Sequence, residues 1–149
     1  MSKIVLRNAE SSEIETIVDL FARSRAAALP FLPILHSRDE DIAFLSGYIA
    51  NGQMILAETE GTIAGFMAET PGWIEQLYLD PAQRRRGIGR ELVEHAKFRQ
   101  ADLQLWCFED NIAARRFYQA QGFTEQRRTA GENEAGLPDI LFRWSRDIR

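Results

Sequence analysis

Cysteine is almost missing from this chain. Cys107 is the only one in 149 residues, so no intrachain disulfide can form, and a reducing compartment is expected. Histidine is nearly as scarce. His36 and His95 fall in separate predicted elements with no metal-ligand spacing around them, so no metal site is expected. No stretch approaches the roughly 20 apolar residues of a membrane span. Met1 to Arg7 alternates polar and apolar residues and lacks the apolar run of a secretion signal. These absences predict a cytoplasmic protein with no membrane partner. Excess positive charge is lacking too. Eighteen Lys and Arg face 22 Asp and Glu, for a net charge of -4, which argues against a nucleic-acid backbone as the main partner. Repeats and linker-like segments are absent. What remains is 45% hydrophobic and 27% charged, the composition of one globular domain spanning 1–149.

Periodicity orders the elements. Lys3 to Asn8 reads as a strand with Ile4 and Leu6 on one face. Ser12 and Glu15 have capping-box spacing ahead of Ile14, Ile17, Val18 and Phe21, which recur at helical intervals. Pro30 and Pro33 must end that helix. Ser37 with Glu40 opens a second helix, which Asn51-Gly52 closes. Met54 to Glu58, Thr62 to Glu69 and Trp73 to Leu79 read as a strand meander with turns at Glu60-Gly61 and Pro71-Gly72. A helix from Gly87 to Phe98, a strand from Asp102 to Cys107 and a helix from Asn111 to Gln121 follow. Phe123 to Arg127 and Ile140 to Trp144 close the chain as a strand pair around a polar loop, Thr129 to Asp139, expected to be flexible. The order predicts an α/β mixed sheet flanked by helices, with a parallel right-handed unit from Trp73 to Cys107.

The strongest local chemistry is Arg84-Arg85-Arg86-Gly87-Ile88-Gly89-Arg90, between a strand end and a helix start. Glycines allow close backbone approach, and the free amides and positive end of a helix hold an anion. A pyrophosphate suits such a loop. A dinucleotide fingerprint would want a small residue where Leu92 stands, and a P-loop would want Gly-Lys-Ser/Thr, which is missing.

The same residues resemble the GNAT N-acetyltransferase family. Arg84, Gly87 and Gly89 match its Gln/Arg-x-x-Gly-x-Gly/Ala signature, directly after Leu77-Tyr78-Leu79-Asp80-Pro81. Asn111, Ala114, Phe117, Tyr118, Gly122 and Phe123 match its second motif, Asn-x-x-Ala-x-x-Phe-Tyr-x-x-x-Gly-Phe. The resemblance implies a GNAT fold: a mixed, mostly antiparallel sheet of about seven strands with a splayed central pair, and about four helices. It implies acetyl-CoA as co-substrate. Pantetheine would pair with the backbone of Leu77, Tyr78 and Leu79. Pyrophosphate would lie on the amides around Arg85, Arg86, Gly87, Ile88, Gly89 and Arg90, and Asn111 would touch the cofactor. It implies transfer of an acetyl group to a primary amine of a small molecule or peptide by direct attack. Family members are often dimers, so a homodimer is compatible. The rival reading is a non-catalytic acyl-CoA sensor, which would keep Arg84 to Gly89 without needing Tyr118.

Catalytic roles follow from proton accounting. Freeing a lysine-like amine at pH 7 costs about 4–5 kcal/mol, which favours a general base. Glu75 is the first candidate, on the face of Leu77 if strand alternation is unbroken. Glu109 and an ordered water are the alternatives. The resemblance implies that Tyr118 faces the thioester sulfur, where it is expected to serve the leaving thiolate. Cys107 reads as a buried strand residue and not as a nucleophile. Trp106 stands where ribosomal-protein-acetylating members carry a glutamate, which breaks any transfer of their base or substrate to this chain. Trp73, Trp106 and Trp144 read as core aromatics, the first two also as walls of the acceptor pocket. His36 is a candidate substrate contact and His95 a surface residue. Glu75, Glu132, Glu134 and Asp139 are expected to form an acidic acceptor rim that gathers cations.

Overall fold

The computed structural model describes residues 3–146. Its elements run β1 (Ile4–Asn8), α1 (Ile14–Ala28), α2 (Arg38–Ala50), β2 (Met54–Thr59), β3 (Thr62–Thr70), β4 (Trp73–Leu79), α3 (Ile88–Arg99), β5 (Asp102–Phe108), α4 (Ile112–Ala120), β6 (Thr124–Thr129) and β7 (Asp139–Ser145). The order agrees with the sequence expectation. The start of α1 does not carry the expected Ser12 box. A 3-10 turn, Ser11–Glu13, comes first, and the Glu13 carboxylate accepts the Glu10 N–H at 2.9 Å. The second box forms as expected: Ser37 Oγ accepts Glu40 N–H at 3.2 Å, and Glu40 accepts Ser37 N–H at 2.9 Å.

The strands form one sheet in the order β1-β2-β3-β4-β5-β7-β6. All pairs are antiparallel except β4 with β5. That parallel pair meets at a single register point, Trp73 opposite Gln104, where Gln104 N–H donates to Gly72 O at 2.9 Å. Beyond it the strands part, leaving the β5-facing edge of β4 without ladder partners from Leu77 to Leu79. Glu69 and Gln100 brace the closed end. Gln100 accepts the Gly72 N–H at 2.6 Å and donates to the buried Glu69 carboxylate, which also pairs with Arg99. The sheet is therefore two half-sheets joined at one end and open at the other.

Two apolar clusters flank the sheet. One packs α3 and α4 on it through Leu92, Val93, Leu105, Phe123 and Phe142. The other packs α1 and α2 on it through Ile17, Leu20, Phe21, Leu45 and Phe66. Fully buried leucines of this kind each stabilise the fold by roughly 2–5 kcal/mol against alanine. The second layer covers only the β1–β4 half, so the same face of β5, β7 and β6 lies open. Trp106 is 42% exposed there, opposite Leu141, with the Arg127 guanidinium 5.2 Å from its ring centroid. The expectation of a core Trp106 fails because the half-sheet that carries it has no helix on that side.

The loop between β6 and β7 is not the flexible segment that its polarity suggested. Asp139 is buried and accepts from the Thr129 hydroxyl and from Asn133 Nδ2, which also donates to Leu137 O at 2.6 Å. Thr129 Oγ accepts the N–H groups of Gly131 and Glu132. Polar side chains here replace a core in ordering the chain. Asp139 is thus spent inside the loop and cannot belong to an acidic rim.

Candidate active site

A cavity of about 510 Å³ opens where β4 and β5 part. Leu77, Tyr78 and Leu79 form its sheet wall, and Arg84, Arg85, Gly87, Ile88, Gly89 and Arg90 its phosphate-sized end. Asn111 and Tyr118 line the α4 side. Of the expected donor-site residues only Arg86 is missing from the wall. The sequence reading did not find Ser24, Ala28, Leu29 and Gln83, which are among the other lining residues. They sit on α1 and on the turn before the arginine run, and only tertiary packing brings them here. Gln83 Oε1 is buried with no hydrogen-bond partner among the described residues.

The arginine-glycine end is shaped by backbone conformation. Arg85 has φ +65° and Gly87 φ +78°, so the chain curls through two left-handed residues before α3 begins. The first helical bond runs from Glu91 N–H to Gly87 O at 3.0 Å, which leaves the amides of Ile88, Gly89 and Arg90 without helical acceptors. At Gly89 a Cβ would meet the Phe117 ring at 3.1 Å and Leu79 at 3.4 Å. The two sequence motifs therefore touch: the Phe117 ring of the second leaves little room for a side chain at Gly89 of the first. Free amides, adjacent guanidinium groups and a bare backbone fit a pyrophosphate chemically.

Asn111 caps α4, its Oδ1 accepting the Ala114 N–H at 3.2 Å, which leaves the Nδ2 hydrogens for other partners. Tyr118 is 9% exposed, with ring centroids of Phe117, Phe123 and Phe142 at 5.2, 5.7 and 6.4 Å. No hydrogen bond from its hydroxyl is found among the described residues, and burial pushes its pKa well above the ordinary phenol value. Cys107 is buried, its thiol 3.6 Å from Phe108 O, and burial pushes its pKa up to about 12. It is no thiolate nucleophile at neutral pH.

Glu75 is not on the face of Leu77. The β3–β4 register pairs Glu69 with Ile74 but Ala68 with Gln76, so Glu75 is the extra residue of a bulge. The bulge turns the strand over: Ile74 joins Leu77 and Leu79 in the α3-side cluster, while Glu75 acts electrostatically on Tyr48 of α2. Glu75 is exposed and outside the cavity lining. Glu109, the alternative base, is committed to an ion pair with Arg128 at 2.7 Å. Trp73 and Trp106 do not line the cavity. His36 lies between two carboxylates, Nε2 2.6 Å from Glu134 and Nδ1 3.5 Å from Glu40. Those contacts, Glu134 first, raise its pKa above the ordinary imidazole value. Among the described residues no cluster of three or more His, Cys, Asp or Glu is placed to hold a metal, and no helix is long and apolar enough to cross a membrane.

Comparison with known proteins places the chain. Residues 50–125 match the acetyltransferase (GNAT) domain family. The peptidyl-lysine N-acetyltransferase YiaC of Escherichia coli K12 is 31% identical over 141 residues, covering 94% of this chain and 96% of its own. The solution structure of apo YjaB from Escherichia coli superposes with a TM-score of 0.80 at 27% identity, over 95% of this chain and 97% of that one. YncA from Salmonella typhimurium, solved with its cofactor acetyl-CoA, shares the fold at a TM-score of 0.73 and 16% identity, over 99% and 96% of the two chains. The splayed seven-stranded sheet, the family match and relatives of nearly equal length agree: the chain belongs to the GNAT acetyltransferase family and is an N-acetyltransferase.

Proposed function

We propose that this enzyme transfers the acetyl group of acetyl-CoA to a primary amine, foremost a lysine side chain on a peptide or protein. The observation that carries the reading is the continuous cavity from the start of α3, between the splayed strands, to Tyr118. Arg84, Arg85, Arg90 and the amides of Ile88 and Gly89 hold the pyrophosphate. The unladdered backbone of Leu77 to Leu79 pairs with the pantetheine arm and offers an N–H to the carbonyl oxygen as negative charge develops there. Tyr118 donates a hydrogen bond to the departing sulfur from the α4 side. Glu75, displaced by the bulge toward α2, takes the amine proton from the opposite face. Relatives named peptidyl-lysine N-acetyltransferases support the lysine acceptor.

Charge supports it as well. Asp39 and Asp41 on α2, Asp110 before α4 and Glu132 after β6 make no ion pair among the described residues. Unpaired carboxylates of this kind leave the surface free to attract a cationic acceptor. The test combines calorimetric titration of acetyl-CoA with thiol release on a panel of amines. Donor binding with lysine-dependent CoA release is expected. Binding without turnover on any amine would return the chain to the sensor reading.

A further inference from the structure

The last turn of α4 is tied down from outside the cavity. α4 is nine residues long, too short to hold itself in helical form without tertiary contacts, and Tyr118 stands in its final turn. Just beyond, Gln121 N–H donates to Phe117 O at 3.0 Å and to Tyr118 O at 3.1 Å, and Phe123 N–H donates to Tyr118 O at 3.0 Å. A helix end leaves carbonyl oxygens without intrahelical donors and gathers partial negative charge. Lys97 of α3 answers both needs, because its ammonium donates to Gln121 O.

Lys97 reaches this point because it follows the buried Val93 by one helical turn. Its side chain is only 14% exposed, a degree of burial that a lysine seldom reaches without partners. Nζ stands 5.1 Å from the ring centroid of Trp144 and 5.9 Å from that of Phe123, both within cation–π range. The Phe123 ring is buried, and its centroid lies 5.7 Å from that of Tyr118. One cation therefore grips the chain after Tyr118 twice, through the Gln121 carbonyl and through the ring that packs on the phenol. The pair with exposed Glu94 at 3.8 Å adds little to this hold. Lys97, Gln121 and Phe123 are not part of the cavity wall, so an effect of Lys97 on acetyl transfer passes through Tyr118. The phosphate end of the cavity lies about 14 Å back along α3, at its first turn.

We propose that Lys97 is a positioning residue for acetyl transfer: its ammonium pins the last turn of α4 and so holds the Tyr118 hydroxyl at the donor sulfur. This rests on the role given to Tyr118 above. A misplacement of about 1 Å can cost up to about 100-fold in rate, and a frayed last turn moves the phenol by a distance of that order.

The test is a double-mutant cycle on the full chain. Thiol release from acetyl-CoA is followed with Nα-acetyl-lysine amide, or with whichever amine of the panel above reacts faster, and acetyl-CoA affinity is measured by calorimetry. Lys97→Met keeps an unbranched apolar stem and removes the cation. It should lower kcat roughly 10-fold and leave acetyl-CoA affinity within about twofold. Lys97→Arg, which keeps a cationic donor, should retain at least about a third of kcat. With Tyr118→Phe already in place, Lys97→Met should cost less than about twofold, because no hydroxyl remains to be misplaced. An equal loss in both backgrounds overturns the proposal, as does a Lys97→Met variant with wild-type kcat or one whose acetyl-CoA affinity falls as far as its kcat. Where Lys97→Met does not fold, Lys97→Gln takes its place in both backgrounds. Failure of both to fold also overturns the proposal, since the lysine then holds the fold and not the phenol. Full turnover by Tyr118→Phe alone would instead defeat the role of Tyr118 itself.

Discussion

Replacing Tyr118 by phenylalanine removes one oxygen from a site where the structure separates packing from chemistry. The ring is held by Phe117, Phe123 and Phe142, and phenylalanine keeps all three contacts. The lost hydroxyl makes no hydrogen bond among the described residues, and Tyr118 lines the open cavity. Its removal leaves no partner unpaired, so stability should change by no more than about 1 kcal/mol. At about 2–4 °C per kcal/mol for a chain of this size, Tm should stay within about 4 °C of the wild type. Catalysis should change far more. An ordinary phenol donating fully to a thiolate of pKa about 8.5 is uphill by about 2 kcal/mol, and burial makes Tyr118 a weaker acid still. In the proposed mechanism Tyr118 therefore serves as a hydrogen-bond donor that stays protonated, and not as a titrating acid. Its removal should lower kcat by roughly 10- to 1,000-fold with unchanged acetyl-CoA affinity, and no limb of the pH-rate profile below pH 10 should disappear. Thiol release, calorimetric titration and thermal unfolding measure the three quantities. Full turnover, or a Tm several degrees below wild type, would refute the reasoning, the second by showing that the hydroxyl has a structural partner.

Gly89→Ala places a methyl group 3.1 Å from the Phe117 ring on the phosphate wall, so acetyl-CoA affinity should fall at least tenfold by calorimetry with a modest loss of Tm. At Gly87 φ +78° makes any β-branched residue strained by roughly 1–3 kcal/mol, so Gly87→Val should lower Tm by about 2–10 °C. Glu75→Gln should lower the base-limb plateau of kcat/KM by roughly 100-fold and Glu134→Gln by less than threefold; equal effects would remove Glu75 from the chemistry. His36 should titrate above its ordinary 6.5 by NMR, and Glu134→Gln should bring the midpoint down, because that carboxylate is the chief cause of the shift. The sign follows: the contribution of the His36–Glu134 contact to folding is complete below pH 6.5 and is lost as pH rises through the elevated folded value.

Local patterning named most of the residues that the structure gathers around the cavity. Two motifs of fixed spacing, each tied to a helix start, name the phosphate end, Asn111 and Tyr118 without any long-range information. The order of elements followed equally from hydrophobic periodicity, because each helix and strand must bury one face. What periodicity misjudged depended on residues distant in the chain. The bulge at Glu75 is a mismatch between β3 and β4, invisible in either strand alone, and it reversed the face on which a candidate base stands. The order in the segment from Thr129 to Asp139 comes from a buried carboxylate bonded across the loop, while its composition reads as flexible. Trp106 looked like core from its hydrophobicity, yet no helix packs on that face of its half-sheet. The α1 wall of the cavity likewise comes from packing, since only the folded chain brings α1 beside Leu77 to Leu79 of β4. Sequence alone determined the arginine-glycine loop and the helix starts beside it, because glycine conformation and helix capping are local. Tertiary structure alone decided the shape of the cavity, because its wall joins α1 to β4 and α4, which lie far apart along the chain.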